Sequence, residues 1–256
     1  MILRGRGISK GCGEGGIVLS EGAVSFLGGV NPATGVLTDK AMEGRSVKDA
    51  VFAFPRGKGS TVGSYVLLEM RRQGTLPAAM VNSSAEPIVA TGAVMSHVPL
   101  VDRIDLGLLR SGDHAVVDGD AGTVELPEVT DTHVVSCIVQ DRDRYLILKR
   151  SEKVGTFQGH WAAVSGFVER DESPDQAALK ELREETSLEL DIARCGEVIR
   201  VRSGDTIWSI HPYLFRADSP RVAIDWEHTE FRWLRLEELK GLQTVPGLEH
   251  VLRSLL

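Results

Sequence analysis

"GFVERDESPDQAALKELREETSL", residues 166–188, decides how the second half of this chain folds. Ser173 is followed by Pro174 and, three residues on, by Gln176. A serine hydroxyl at the N-cap, a proline at the first helical position and a glutamine closing a capping box together mark a helix start. From Ala177 to Thr186 the residues are strong helix formers, so a helix is predicted there. On it Glu181, Glu184 and Glu185 stand at i, i+3 and i+4, which puts three carboxylates on one side. Like charges so spaced destabilise an isolated helix by about 0.2–0.5 kcal/mol per pair. A divalent cation reverses that sign, and Mg²⁺ favours carboxylate and phosphate oxygens in octahedral geometry. Taken alone, the three glutamates also describe an ordinary solvated helix face.

The flanks widen the pattern. Residues 134–139, "VVSCIV", and 145–148, "YLIL", read as short strands on either side of a polar turn. The run "HWAAVSGFVE", residues 160–169, leads into the helix. Gly166, five residues, Glu172, seven residues, then "KELREETSL" resembles the Nudix box, G-x5-E-x7-R-E-U-x-E-E-x-G-U, with U aliphatic. "GHW" before the box and "EHTEFRWLRLEEL" after the last long strand also resemble Nudix segments. The resemblance covers residues 133–256 and implies a Nudix α/β/α sandwich with Mg²⁺-dependent hydrolysis of a diphosphate. It implies that Glu181, Glu184 and Glu185 bind the metal, and that one of them also orients the attacking water, making Glu184 and Glu185 catalytic candidates. Gly166, Glu172 and Lys180 are then the structural members of the box. Two positions depart from the pattern. Lys180 stands in place of an arginine, turning a bidentate pairing with Glu172 into a point-charge contact. Ser187 stands in place of the closing glycine, at a cost of about 1 kcal/mol if the backbone there is left-handed. Glu227 and Glu230 are candidate general bases outside the box.

In the first half, residues 16–20, 50–55 and 78–82 read as strands, and residues 114–126 as a hairpin turning at Asp118-Gly119-Asp120. The stretch "RGKGSTVGSY", residues 56–65, invites a P-loop reading. A Walker A loop needs a hydroxyl after its lysine and a glycine five residues before its Gly-Lys pair. Gly59 and Phe52 occupy those positions, so that reading fails. Residues 60–72 instead read as a helix with Ser60 at the N-cap, weakened by Gly63 by about 1 kcal/mol relative to alanine.

Four stretches of this half, "SFLGGVNPATGVLTD" (25–39), "PRGKGSTVGSYVLLEM" (55–70), "PAAMVNSSAEPIVATGAVMSHVPLVD" (77–102) and "VDGDAGTVEL" (117–126), resemble the small subunit, or swivelling domain, of the aconitase X family. Within that family this half resembles the archaeal small subunit of phosphomevalonate dehydratase, which implies a part in a hydro-lyase of isoprenoid biosynthesis. The resemblance implies a swivelling β/β/α domain over residues 1–127 that closes on an iron–sulfur cluster held by a separate large subunit. It implies that Ser60 takes the substrate proton during dehydration of 5-phosphomevalonate, with Gly28, Gly29, Lys58 and Gly59 binding substrate. Lys58 stands where the family's "GRGS" pattern has arginine, keeping the charge without the planar fork. An alkyl hydroxyl is about as weak an acid as water, whose pKa is about 15.7. Lowering it to about 7 needs on the order of 12 kcal/mol, and a helix N-terminus contributes at most about 2. Ser60 therefore needs a partner chain to act as a base.

Composition bounds the alternatives. The chain has 256 residues and a net charge of −7, with no basic tail or stripe, which argues against nucleic acid as the main partner. Three scattered cysteines, Cys12, Cys137 and Cys195, suggest a reducing compartment and offer no metal cage. The N-terminus lacks a signal-peptide core and no run approaches 18 apolar residues, so a cytoplasmic protein without membrane spans is expected. The proline-bearing "LPEVTDTH", residues 126–133, marks a domain boundary. The fold expected is thus α/β in two domains, 1–127 and 133–256. Three functions fit: a dehydratase small subunit fused to a Nudix hydrolase, a Nudix hydrolase with a non-catalytic swivelling domain, or a regulatory subunit that senses a diphosphate without cleaving it.

Overall fold

The structure, a computed structural model, describes residues 1–39 and 42–256. The chain divides into two compact units, Met1–Thr130 and Asp131–Leu256. Both are α/β, as expected.

The first unit runs β1 (Ile2–Arg4), β2 (Arg6–Ser9), β3 (Cys12–Leu19), α1 (Phe26–Gly29), β4 (Val51–Phe54), α2 (Gly63–Gln73), β5 (Ala79–Asn82), α3 (Pro87–Ser96), β6 (Leu100–Asp102), β7 (His114–Asp118) and β8 (Thr123–Glu125). α1 is one kinked turn, with Leu27 and Gly28 outside helical dihedrals. The sheet order is β1-β8-β7-β3-β4-β5-β6-β2. β3, β4, β5 and β6 pair in parallel, while β7, β8 and β1 extend the sheet antiparallel. The parallel centre explains the unbroken apolar runs: "VFAF" and "AMVN" are buried at every position, as strands covered on both faces must be. Phe26, Phe52, Phe54, Leu67, Met70 and Val89 share one core that seats α2 and α3 against the sheet.

Two local expectations are corrected. The helix begins at Gly63 rather than Ser60, and its N-cap is Val62, with no side-chain cap bond. The Ser60 hydroxyl accepts from the Val62 N–H at 3.3 Å, and its carbonyl accepts from the Gly63 N–H at 2.9 Å. Serine thereby closes a local turn ahead of the helix, the competition that makes it a turn former as readily as a cap. The hairpin turn spans residues 119–122 rather than 118–120. Asp118 ends the strand and its Oδ1 accepts from the N–H groups of Asp120 and Ala121, each at 2.9 Å.

The terminal amino group of Met1 donates to the carbonyls of Leu126 (3.2 Å) and Val129 (3.3 Å), and Val129 is buried. A fragment 1–130 is therefore expected to fold alone. A fragment 1–127 should fold too but be less stable by about 1–2 kcal/mol for the lost valine burial. Urea melts of the two fragments measure the difference, and equal midpoints would contradict it.

The second unit runs β9 (Thr130–Asp141), β10 (Arg144–Arg150), β11 (Trp161–Ala162), β12 (Val164–Phe167), α4 (Pro174–Thr186), β13 (Ile192–Cys195), β14 (Ile199–Ser203), β15 (Thr206–Arg216), β16 (His228–Leu234) and α5 (Leu248–Leu255). β11-β10-β9-β15-β13 form the main path, with β12 on β9, β14 on β15 and β16 on β10. Side chains on a strand alternate between faces, and β10 uses both. Tyr145 and Ile147 join a core with Trp161, Leu248 and Leu252 of α5. Leu146 and Leu148 join another with Ala177, Ala178 and Leu182 of α4. A helix on each face of one sheet is the α/β/α layering expected.

α4 begins as its sequence dictates. The Ser173 hydroxyl accepts from the Gln176 N–H (3.3 Å), and the Gln176 side chain accepts from the Ser173 N–H (2.9 Å). It ends on Ser187, which is left-handed (φ 56°, ψ 24°) and donates its N–H to the Arg183 carbonyl. That conformation favours glycine. Ser187→Gly is expected to stabilise the second unit by about 1 kcal/mol, read as a higher midpoint in thermal melts; an unchanged or lower midpoint would contradict it.

Candidate active sites

In the second unit, α4 and the β12 backbone build one cradle. Glu185 is buried, 2% exposed, and takes a hydrogen bond from the Ser165 backbone N–H. One of its oxygens, Oε2, has no hydrogen-bond partner. Burial pushes the Glu185 carboxyl well above the usual range, and the charges of Glu181, Glu227 and Asp225 push it further. Glu181 is half-buried and raised for the same first reason. Glu184 is exposed on the same helix. A Cβ on Gly166 would overlap the Glu181 carboxyl, so only glycine admits that side chain against the strand. Lys180 Nζ lies 3.3 Å from Glu172 Oε2 and 3.5 Å from Glu181 Oε1. Burial lowers the ammonium's pKa, but the hydrogen bond to Glu172 and the charges of Glu181 and Glu172 outweigh it and the net shift is upward.

Behind Glu185 stands His228, wholly buried, with Nε2 at 3.7 Å from Glu185 Oε2 and Nδ1 at 3.2 Å from Asp225 Oδ1. Burial lowers the His228 pKa, although Asp225 acts against it. The two candidate bases separate here. Glu230 is tied to Arg232 at 2.7 Å. Glu227 faces the cradle, and burial and Asp225 raise its pKa while Arg150 lowers it. Among the described residues, no three His, Cys, Asp or Glu side chains converge closely enough to hold a metal ion.

In the first unit, the 56–60 loop lies against the turn after β3. Val24 donates its N–H to the Arg56 carbonyl (3.0 Å) and accepts from the Lys58 N–H (2.8 Å). Gly59 is left-handed (φ 98°), and a Cβ there would press on the Ser25 hydroxyl. Lys58, Gly59 and Ser60 are exposed. Gly28 (φ 79°) and Gly29 hold the neighbouring turn by accepting from Thr38, at 2.8 Å from its hydroxyl and 3.0 Å from its N–H. A cavity of about 560 Å³ opens here, with Arg45, Lys58, Arg110, Ser25, Ser111 and Gly29 in its wall. It gathers Gly29 and Lys58 of the expected residues; Ser60, Gly28 and Gly59 are not in its wall.

The family model for the aconitase X swivel domain matches residues 2–126. The phosphomevalonate dehydratase small subunit of Pyrococcus furiosus is 49% identical over 128 residues, 49% of this chain and 96% of that protein. The chain belongs to the aconitase X swivel family. A NUDIX domain follows, its family model matching residues 131–255. The aconitase X of Thermococcus kodakaraensis (holo-form) is 45% identical to the swivel unit, covering 50% of this chain and 99% of that one, with a TM-score of 0.49. The MutT protein of Methanosarcina mazei is 24% identical, covering 49% of this chain and 96% of that one, with a TM-score of 0.43.

Sequence reasoning overlooked Asp225 and His228 in the NUDIX unit, and Arg45 and Arg110 in the swivel unit. His228 sits beside Glu227 in "EHTEF", a segment already singled out. The burial of this histidine between Asp225 and Glu185 is not visible locally, since Glu185 lies 43 residues earlier in the chain. Arg45 and Arg110 are isolated surface cations until the fold brings them to one cavity.

Proposed function

We propose that the swivel unit is the small subunit of a phosphomevalonate dehydratase, and that the NUDIX unit is a divalent-metal-dependent diphosphate hydrolase. The observation that carries the second half is the buried, unpartnered Oε2 of Glu185 among Glu181, Glu227 and Asp225. A buried carboxylate without a partner is costly, and a cluster of acids around it compounds the cost. Mg²⁺, a hard cation that prefers oxygen ligands, suits the chemistry of these carboxylates; Glu181, Glu184 and Glu185 would hold it, which requires their side chains to close together from the spacing described above. Bound there, it would neutralise charge on the phosphate oxygens and orient water. Glu227 is the base we favour: it faces the same carboxylates, and burial and Asp225 raise its pKa, which strengthens it as a proton acceptor. His228 and Asp225 hold Glu185 in place from behind.

In the swivel unit, Ser60 takes the proton, and Arg45, Lys58 and Arg110 suit the phosphate of the substrate. The weak acidity of a serine hydroxyl makes a large subunit, with its iron–sulfur cluster, necessary to this reading. No helix among the described residues is long and apolar enough to cross a membrane. The test has two arms. The chain alone should lack dehydratase activity and acquire it when mixed with a cluster-bearing aconitase X large subunit. Separately, it should release phosphate or a monophosphate from a diphosphate panel in Mg²⁺ and not in chelator. Failure of the first arm removes the dehydratase reading. Failure of the second leaves the NUDIX unit as a sensor.

A further inference from the structure

A small apolar cavity adjoins the carboxylate cradle of the NUDIX unit, and its chemistry bears on which diphosphate enters. Ser165 and Gly166, the residues that contact Glu185 and Glu181, are part of its wall. The rest is mainly Val134, Phe157, Phe167, Val201, Trp208 and Ile210, and its cation is Arg150. Arg150 also acts electrostatically on Glu227 and is steadied by donating from Nε to the Thr156 carbonyl at 3.0 Å. The cavity thus runs from an apolar interior to a cation and then to the carboxylates.

Three features bear on the occupant. The volume is about 100 Å³. A cavity of about 150 Å³ takes one benzene ring, so the enclosed part of this one takes about four or five carbons, less than a purine. The aromatic side chains lean on one another and leave no slot. Phe157 and Trp208 lie 6.4 Å apart at 60°, and Phe167 and Trp208 6.1 Å apart at 42°. Neither pair is parallel, as a pair sandwiching a flat base would be. Finally, the wall carries no Asp, Asn, Glu or Gln side chain, its polar side chains being those of Ser136, Arg150, Thr156, Ser165 and Trp208. The amide that pairs bidentately with adenine is missing, so an adenine buried here would leave hydrogen-bonding groups unmatched.

We propose that the NUDIX unit acts on a short aliphatic diphosphate of about four or five carbons. The inference rests on the diphosphate hydrolase reading and names its substrate class. The chain fills the apolar cavity, and the diphosphate lies at Arg150 and the carboxylates. Water attacks one phosphorus and passes a proton to Glu227. The bond from that phosphorus to the bridging oxygen breaks, and the bridging oxygen leaves with the other phosphate. The products are inorganic phosphate and an aliphatic monophosphate.

The experiment uses the full chain in Mg²⁺ with isopentenyl diphosphate, geranyl diphosphate, ADP-ribose and diadenosine tetraphosphate. kcat/KM for isopentenyl diphosphate should exceed that for either nucleotide by at least about tenfold. Val201→Ala, which enlarges the cavity, should shift the ratio of geranyl to isopentenyl turnover upward by about tenfold. Ile210→Phe, which fills it, should raise KM for isopentenyl diphosphate, with folding checked by circular dichroism. Calorimetric binding to Glu185→Gln supplies a readout independent of turnover, and isopentenyl diphosphate should bind at least about tenfold more tightly than ADP-ribose. Cleavage of the nucleotides with equal or greater efficiency overturns the substrate class and leaves the hydrolase reading intact. Absence of any cleavage removes the hydrolase reading, and absence of preferential binding as well removes the inference.

Discussion

Glu185→Gln is expected to abolish diphosphate hydrolysis, a loss of at least about a thousandfold, while raising the stability of the metal-free protein. The substitution keeps the shape of the side chain and an oxygen for the Ser165 N–H, but removes the acid of a buried group that Glu181, Glu227 and Asp225 already press on. Metal affinity should fall accordingly. The stability gain has a definite pH dependence. The Glu185 pKa is raised in the folded state, so the folded form holds this proton more tightly than the unfolded chain does. The associated stability is complete below the ordinary carboxylate value of about 4.3 and is lost as pH rises through the raised value. Glutamine removes that loss, so the variant should gain on its parent toward neutral pH. His228 is shifted down and works in the opposite sense, its stability being lost as pH falls below about 6.5. Subtracting parent from variant melts in chelator gives the glutamate together with its coupling to His228, 3.7 Å away. A variant that is inactive and also less stable at pH 7 would point to a structural network broken by loss of a partner, and the metal reading would fall.

Ser60→Ala, in the complex with a large subunit, should lose at least about a hundredfold in dehydration rate, the lower range for removing a general base. Assembly should persist. Among the described residues the hydroxyl's hydrogen bond is local, from the Val62 N–H at 3.3 Å, and the side chain is exposed, so folding has little at stake. Stopped assays with purified subunits, beside size-exclusion chromatography of the mixture, measure both quantities. Near-parent turnover in that variant would leave Ser60 as a turn residue and nothing more.

How far the fold could be read from the chain depended on where each determinant lies. α4 was legible from its start to Thr186 because its cap, its proline and its glutamine are within four residues of one another. "YLIL" was legible as a strand because burial on both faces leaves an unbroken apolar run. The start of α2 was placed three residues early, since serine signals a turn and a cap with the same hydroxyl. α3 was not anticipated at all. Its segment "PIVATGAVMS" carries β-branched residues and a glycine, which weaken a helix reading. Its cap is a glutamate whose carboxylate accepts from Ile88 and Val89, a residue outside the usual set. At the NUDIX site the glutamates were visible as a pattern, whereas His228, Asp225 and the cavity wall come from separate strands and loops that only the sheet brings together.

The loop leading to Ser60 is fastened through main-chain atoms: Val24 grips it by its N–H and carbonyl, the two bonds that make a parallel bridge between Val24 and Gly57. Such a loop is already ordered before any encounter. A protein docking against it has little conformational entropy to extract from this side, since ordering side chains and loops is a main penalty of association. Recognition of the swivel unit should therefore resemble rigid-body docking, with association rate constants of about 10⁵–10⁷ M⁻¹s⁻¹ and little burial beyond the touching surfaces. A heat-capacity change on assembly in keeping with that contact area alone is the corresponding calorimetric signature.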